Sequence, residues 1–134
     1  MTYLLDVNAL LSLLFSNHEF HDRMEQWIEA GRGKKAFAIA TCPVTELGFI
    51  RIASGVPFFG IDISGARSLL TRFKHNKALA PRFIPDDLSA SELPGWVSKS
   101  AHTTDGYLSR LAISHGFLLA TLDEGIPDAF LIPR

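Results

Sequence analysis

The sequence predicts an α/β fold, in which a central, mainly parallel sheet is covered by helices on both faces. Three observations support this prediction. Short apolar runs alternate with amphipathic segments along the chain, which is typical of strands joined by crossover helices. The runs lack polar alternation, as expected for buried parallel strands. No repeat or linker divides the 134 residues, so we expect a single domain spanning residues 1–134.

The first strand ends at an acidic residue and leads straight into a helix. The run YLLDVNALL at residues 3–11 is apolar except for Asp6 and Asn8. It predicts a buried strand that ends near Asp6, followed by a helix that Asn8 caps. A second helix is predicted over residues 18–30, where apolar side chains recur at helical spacing before two glycines end the pattern.

The later elements are marked by caps and turn residues. Pro43 favours the start of one helix, and Asp62 caps the next. Residues 86–102 are rich in turn residues and predict a loop with one helical turn. The other predicted elements are a strand at 35–40, helices at 44–53 and 63–74, a strand at 82–85, a helix from 103 or 104 to 114, and strands at 117–121 and 129–132.

Composition and charge exclude several classes of protein. A single cysteine, Cys42, excludes an internal disulfide and a cysteine-rich zinc site and suits a reducing compartment, so we expect the cytoplasm. The apolar run at residues 9–15 is too short to cross a bilayer, and we expect neither a secretion signal nor a membrane segment. The net charge of −1 gives no overall attraction to nucleic acid, so such binding must depend on local patches.

Four acidic residues stand where predicted strands end or predicted helices begin. They are Asp6, Glu46, Asp105 and Asp123. Carboxyl ends of parallel strands meet at one edge of a sheet, so we expect the four carboxylates to face one crevice. The helix dipole explains a single acid in the first turn of a helix, but four together repel one another unless a cation neutralises them.

The ligand chemistry of these acids indicates a hard divalent cation. Carboxylate oxygens favour Mg²⁺ or Mn²⁺ over zinc, and we assign the metal site to the four acids. We predict that Asn8 and Thr121 hold Asp6 and Asp123 in place. Such ions bind phosphate oxygens and activate water, so the sequence predicts hydrolysis of phosphodiester bonds.

The sequence resembles the PIN-domain nucleases, and within them the VapC-type toxins of bacterial toxin–antitoxin pairs. The resemblance is carried by LLDVN at residues 4–8, PVTELGFIR at 43–51, TDGYL at 104–108 and LATLD at 119–123. It implies a three-layer α/β/α PIN-like fold and a Mg²⁺- or Mn²⁺-dependent endoribonuclease. It also implies a homodimer and a cognate antitoxin that covers the active site. In that family the acids matching Asp6, Glu46, Asp105 and Asp123 form the metal site.

Our hypothesis for the reaction is in-line attack of water on an RNA phosphate, with one or two ions held by the four acids. One alternative is a catalytically silent PIN scaffold that binds RNA or protein. Another is a phosphatase of the haloacid-dehalogenase type, which also begins with a strand ending in aspartate. That mechanism requires a second aspartate where this chain has Asn8, and a downstream lysine that the sequence does not clearly offer.

Basic residues are the candidates for substrate contacts. Arg72 and Lys74, in a segment without acids, are predicted to reach the RNA backbone. A solvated helix face explains the same segment equally well. Arg51 is predicted to reach a phosphate or an antitoxin carboxylate, and a surface salt bridge explains it about as well. His18 and His21 share a helix face, but we expect no carboxylate set to complete a metal site there and assign both to packing and capping.

Overall fold

Five strands form one sheet in the computed structural model, which describes residues 1–134. In chain order the strands are β1 (Thr2–Leu5), β2 (Ala38–Thr41), β3 (Arg82–Phe83), β4 (Leu118–Thr121) and β5 (Phe130–Leu131). Their order in the sheet is β3-β2-β1-β4-β5, so the first strand lies at the centre. Leu4 of β1 stands opposite Ala40 in β2 and Leu119 in β4. Every strand pair is parallel, which confirms the predicted sheet.

Five α-helices cover the two faces of the sheet. They are α1 (Val7–Leu14), α2 (His21–Arg32), α3 (Pro43–Gly55), α4 (Ile63–Lys74) and α5 (Thr103–Ser114). Neighbouring residues of a strand point to opposite faces, so Leu5 packs in one core cluster with α1 to α4, and Leu4 packs in another with α5. The predicted helices on both faces are therefore confirmed. None of the five has the length and apolar character needed to cross a membrane.

Two elements begin three residues later than the sequence predicts. Helix α2 begins at His21 rather than at residue 18, because the His18 ring accepts a hydrogen bond from the Phe20 N–H and closes a turn before it. Strand β2 begins at Ala38 rather than at residue 35. The Lys34 N–H bonds back to a carbonyl of the last turn of α2, so the chain is still turning there.

Three helices have their N-termini at the carboxyl edge of the sheet. Helices α1 and α3 begin there, directly after β1 and β2. Helix α5 leads into β4 and packs against it, so its N-terminus lies at the same edge. Side chains from three helix starts and from the segment after β4 therefore come together at this edge.

Candidate active site

Asp6 is the first residue after β1 and caps the N-terminus of α1. Its backbone is extended, and its Oδ1 accepts a hydrogen bond from the Ala9 N–H at 2.7 Å. Aspartate is among the preferred N-cap residues because its carboxylate satisfies a free amide of the first turn. The prediction that Asn8 caps this helix was wrong. Asn8 lies exposed inside α1, and its Oδ1 is 3.0 Å from His18 Nε2.

Thr121, the last residue of β4, connects two of the acids. Its side chain faces the Asp6 carboxylate and lowers its pKa, and its Oγ1 accepts the Asp123 N–H at 3.0 Å. Asp123 Oδ1 accepts the Gly125 N–H at 2.8 Å, so the turn after β4 orients this carboxylate. Thr121 reaches Asp6 because β4 pairs with β1, and the Asp6 N–H extends that pairing to the Ala120 carbonyl at 3.2 Å.

Asp105 lies half-buried in the first turn of α5. The next residue, Gly106, is buried against Val97 of the preceding loop, and a Cβ at this position would overlap the Val97 side chain. The missing side chain lets the loop close over the start of α5. Gly106 therefore helps to fix where the Asp105 carboxylate stands.

The three aspartates share one electrostatic environment. Burial raises the pKa of Asp6 from its ordinary value of 3.8 to about 6; the hydrogen bonds it accepts oppose this, and the charges of Asp105 and Asp123 add to it. Burial also raises the pKa of Asp105, with the charge of Asp123 adding to the effect and His102 opposing it. None of the three forms an ion pair with a cationic side chain. Their mutual repulsion is therefore not offset by an ion pair.

Glu46, in contrast, is fully partnered. It lies in the first turn of α3, and its Oε2 accepts a hydrogen bond from Thr41 Oγ1 at 2.7 Å. Lys74 Nζ, from the last turn of α4, lies 3.1 Å from Oε1 and 3.0 Å from Oε2. The Glu46 side chain is 14% exposed, and the Lys74 ammonium group also lies 4.2 Å from the centre of the Phe83 ring. This acid carries its own counter-ion.

Comparison with known proteins identifies the family. No family model matches the chain. Ribonuclease VapC38 of Mycobacterium tuberculosis is 35% identical over 127 residues, which cover 92% of this chain and 86% of the relative. Ribonuclease VapC29 of the same species is 34% identical over 140 residues, which cover 99% of this chain and 98% of the relative. The chain belongs to the VapC ribonuclease family.

Two solved structures share the architecture. VapBC2 from Rickettsia felis, bound to a DNA fragment from its promoter, superposes with a TM-score of 0.66 at 17% identity and covers 98% of this chain and 97% of that one. FitAB bound to DNA superposes with a TM-score of 0.58 at 20% identity, covering 94% and 87%. The predicted three-layer α/β/α PIN-like fold is confirmed.

The donor atoms at the carboxyl edge of this VapC chain fit a hard divalent cation. All four acids offer carboxylate oxygens, and Cys42, the only cysteine, is buried beside Thr45. A dication would offset the repulsion among the aspartates. No three of the four acids bring ligand oxygens within 4.8 Å of one another, in keeping with the repulsion between carboxylates. The assignment of the metal site to these acids stays a prediction.

A second group of possible metal ligands lies on α2 of this VapC chain, where none was predicted. His21, Asp22 and Glu25 bring ligand atoms within 4.8 Å of one another. His21 Nε2 is 3.2 Å from Glu25 Oε1, and His21 Nδ1 is 2.8 Å from the Ser12 carbonyl. The expectation that no carboxylates accompany His21 was therefore wrong. Both carboxylates are exposed, and an ion pair between residues four apart on a helix accounts for the closest contact.

The three predicted substrate contacts of this VapC chain occupy different surroundings. Lys74 pairs with Glu46 inside the candidate site. Arg51 is exposed on α3, beyond Glu46. Arg72 lines an exposed, entirely polar groove on α4, whose other lining residues are Ser64, Arg67, Ser68 and Thr71. The contacts of all three with substrate stay predictions.

Proposed function

We propose that this chain is a Mg²⁺- or Mn²⁺-dependent endoribonuclease that hydrolyses RNA phosphodiester bonds and acts as the toxin of a toxin–antitoxin pair. Ribonuclease activity is the property that names its VapC relatives. The observation that carries the metal dependence is the group formed by Asp6, Asp105 and Asp123. The charges of Asp105 and Asp123 raise the pKa of Asp6, and the charge of Asp123 raises the pKa of Asp105. None of the three aspartates forms an ion pair.

Each acid has a distinct part in the proposed site. Asp6, Asp105 and Asp123 hold the ion, and Glu46 completes the set from the first turn of α3. Thr121 holds the segment of Asp123 through its hydrogen bond to the Asp123 N–H, and it favours the charged form of Asp6 by lowering its pKa. When bound, a divalent ion of this class lowers the pKa of water and stabilises the charge that develops on the leaving oxygen.

The basic face of α4 is proposed to bind the RNA backbone. The groove lined by Arg67 and Arg72 contains three hydroxyl side chains and no apolar one, which suits phosphate oxygens. Lys74 continues this helix to the candidate site, where it meets Glu46. Arg51 is proposed as a further contact from α3. A strand of RNA that follows α4 would thus enter the carboxyl edge of the sheet.

Protein partners are proposed on separate grounds. The structurally similar VapBC2 is a complex, and we propose that a cognate antitoxin covers the active site of this chain as well. We further propose a homodimer and a cytoplasmic location. Leu47, Phe58 and Ile63 are large apolar side chains that are 58–67% exposed on or between α3 and α4, and such exposure favours contact with another protein.

Cleavage of a mixed panel of structured and single-stranded RNAs tests this function. Antitoxin-free protein is assayed with Mg²⁺, with Mn²⁺ and with EDTA, beside Asp6→Asn and Asp105→Asn. Glu29→Gln, which neutralises an exposed acid on α2, serves as the matched control. We expect metal-dependent cutting that both aspartate variants lose and the control keeps. Cutting that persists in EDTA or in both aspartate variants would contradict the proposed site.

A further inference from the structure

The ion pair between Lys74 and Glu46 sets this acid apart from the three aspartates. Lys74 Nζ lies within 3.1 Å of both carboxylate oxygens, and Thr41 Oγ1 donates to one of them. A carboxylate whose oxygens are both engaged in this way is already neutralised. Glu46 is therefore not free to ligate a cation until the ammonium group moves.

This pair differs from an ordinary surface ion pair. Exposed pairs contribute little because both partners remain solvated and mobile. Glu46 is only 14% exposed and is anchored to Thr41, a fully buried residue of β2. Lys74 is 35% exposed and lies against the Phe83 ring, so its ammonium group is held in place on two sides while one side remains open to solvent.

Lys74 also ends the basic face of α4. Arg67, Thr71 and Lys74 follow one another at spacings of four and three residues and so share one side of the helix. Over seven residues a helix rises about 10 Å, so this side of the helix extends from Arg67 to the candidate site. The ammonium group thus lies between the polar groove on α4 and the candidate metal site.

We infer that Lys74 is a substrate-positioning residue that exchanges partners: it pairs with Glu46 in the metal-free protein and binds an RNA phosphate when Glu46 ligates a divalent ion. This inference rests on the proposed function. It makes Lys74 a competitor of the ion for Glu46 and, at the same time, a ligand of the substrate. Loss of the Lys74 charge should therefore raise the affinity for the divalent ion and lower the affinity for RNA.

The test is a comparison of Mn²⁺ affinity and RNA kinetics in Lys74→Gln. Mn²⁺ binding is measured by titration calorimetry or electron paramagnetic resonance, and we expect it to tighten on the order of tenfold because a competing positive charge is removed. The KM for an RNA cleaved in the panel above should rise several-fold with kcat largely kept. The slope of log KM against log salt should fall by about 0.7, the value for one phosphate contact in a single strand.

Three variants and one background serve as controls. Lys74→Arg keeps the charge and should restore both affinities towards those of the wild type. Lys35→Gln removes an exposed lysine that precedes β2, at the opposite edge of the sheet, and should change neither. Glu46→Gln should weaken Mn²⁺ binding. Each titration is repeated with His21→Ala, which removes the other possible cation site on α2.

The outcomes separate this inference from the function on which it rests. Tighter Mn²⁺ binding together with a higher KM supports the exchange. If Lys74 were merely structural, its loss would weaken the binding of Mn²⁺ as well as that of RNA. Unchanged or weaker Mn²⁺ binding in Lys74→Gln, or an unchanged KM, overturns it while leaving a wild type that cleaves RNA in a metal-dependent way. A wild type that neither binds Mn²⁺ nor cleaves RNA overturns the proposed function and this inference together.

Discussion

Replacement of Asp6 by asparagine should stabilise the metal-free protein, although it removes a residue of the proposed active site. Asparagine is about as good an N-cap as aspartate, so its carboxamide oxygen can still accept the Ala9 N–H. The substitution keeps the shape of the side chain and removes only its charge. Asp6 is 4% exposed, so that charge is held almost entirely out of water.

The expected size follows from the pKa of Asp6. Folding raises it from 3.8 to about 6, so the folded state holds this proton more tightly than the unfolded state does. The associated stability is present in full below pH 3.8 and is lost as the pH rises through the window to about 6. At 1.36 kcal/mol for each pH unit, the loss amounts to about 3 kcal/mol. At pH 7 the variant should therefore be more stable than the wild type by an amount of this order.

Urea unfolding in EDTA from pH 4 to pH 8 measures this effect. Asp62→Asn is the matched control, because Asp62 caps α4 in the same way but is exposed, and its variant should follow the wild type. Both proteins should lose stability as the pH rises, because burial also raises the pKa of Asp105, but the loss should be smaller in Asp6→Asn by about 3 kcal/mol. A variant that is less stable than the wild type at pH 7, or that shows the same pH dependence, would refute the reasoning.

Three further predictions concern packing, a buried hydrogen bond and the basic helix. Gly106→Ala should cost about 1–3 kcal/mol, since its Cβ overlaps Val97, and urea unfolding should show a smaller cost in a Val97→Ala background. Thr45→Val should cost about 1–3 kcal/mol in the same assay, because the Leu5 carbonyl loses the hydroxyl that donates to it at 3.0 Å. Arg72→Gln should raise the KM for RNA and leave the free energy of unfolding within about 0.5 kcal/mol of the wild type; an unchanged KM would count against the groove on α4.

Local sequence patterns predict the fold well where two signals agree. Helix α4 runs over Ile63–Lys74 as predicted, because the Asp62 cap and the amphipathic spacing mark the same segment. Strand β4 lies where its apolar run places it, and helix α5 spans Thr103–Ser114 as predicted. The expectation that Thr103 or Thr104 caps α5 was wrong, because the N-cap is His102 and no side chain caps the helix. The start of β2 was misplaced because Ala36 and Phe37 extend its apolar run towards Lys35, whereas pairing with β1 begins only at Ala38, opposite Thr2.

The residue that caps α1 at the candidate site could not be predicted from the local sequence. Asp6 and Asn8 are both good N-cap residues, so local propensity does not choose between them. The choice is made by sheet pairing, because the Asp6 N–H bonds to the Ala120 carbonyl of β4 and holds the residue in an extended conformation. A contact between residues this far apart in the chain leaves no local signal. The four acids, in contrast, could be selected because each follows a strand or begins a helix.

The pairing of Glu46 with Lys74 explains how a chain with a net charge of −1 can combine an acidic centre with a surface for a polyanion. The segment from residue 63 to residue 85 contains no acid, and its basic residues are Arg67, Arg72, Lys74, Lys77 and Arg82. The packing of α4 on α3 joins this positive segment to the acidic edge through a single ion pair. Whole-chain charge averages the two regions to nearly zero. RNA binding in this protein should therefore be sensitive to the charges of α4 and insensitive to equal changes elsewhere, which net charge alone does not predict.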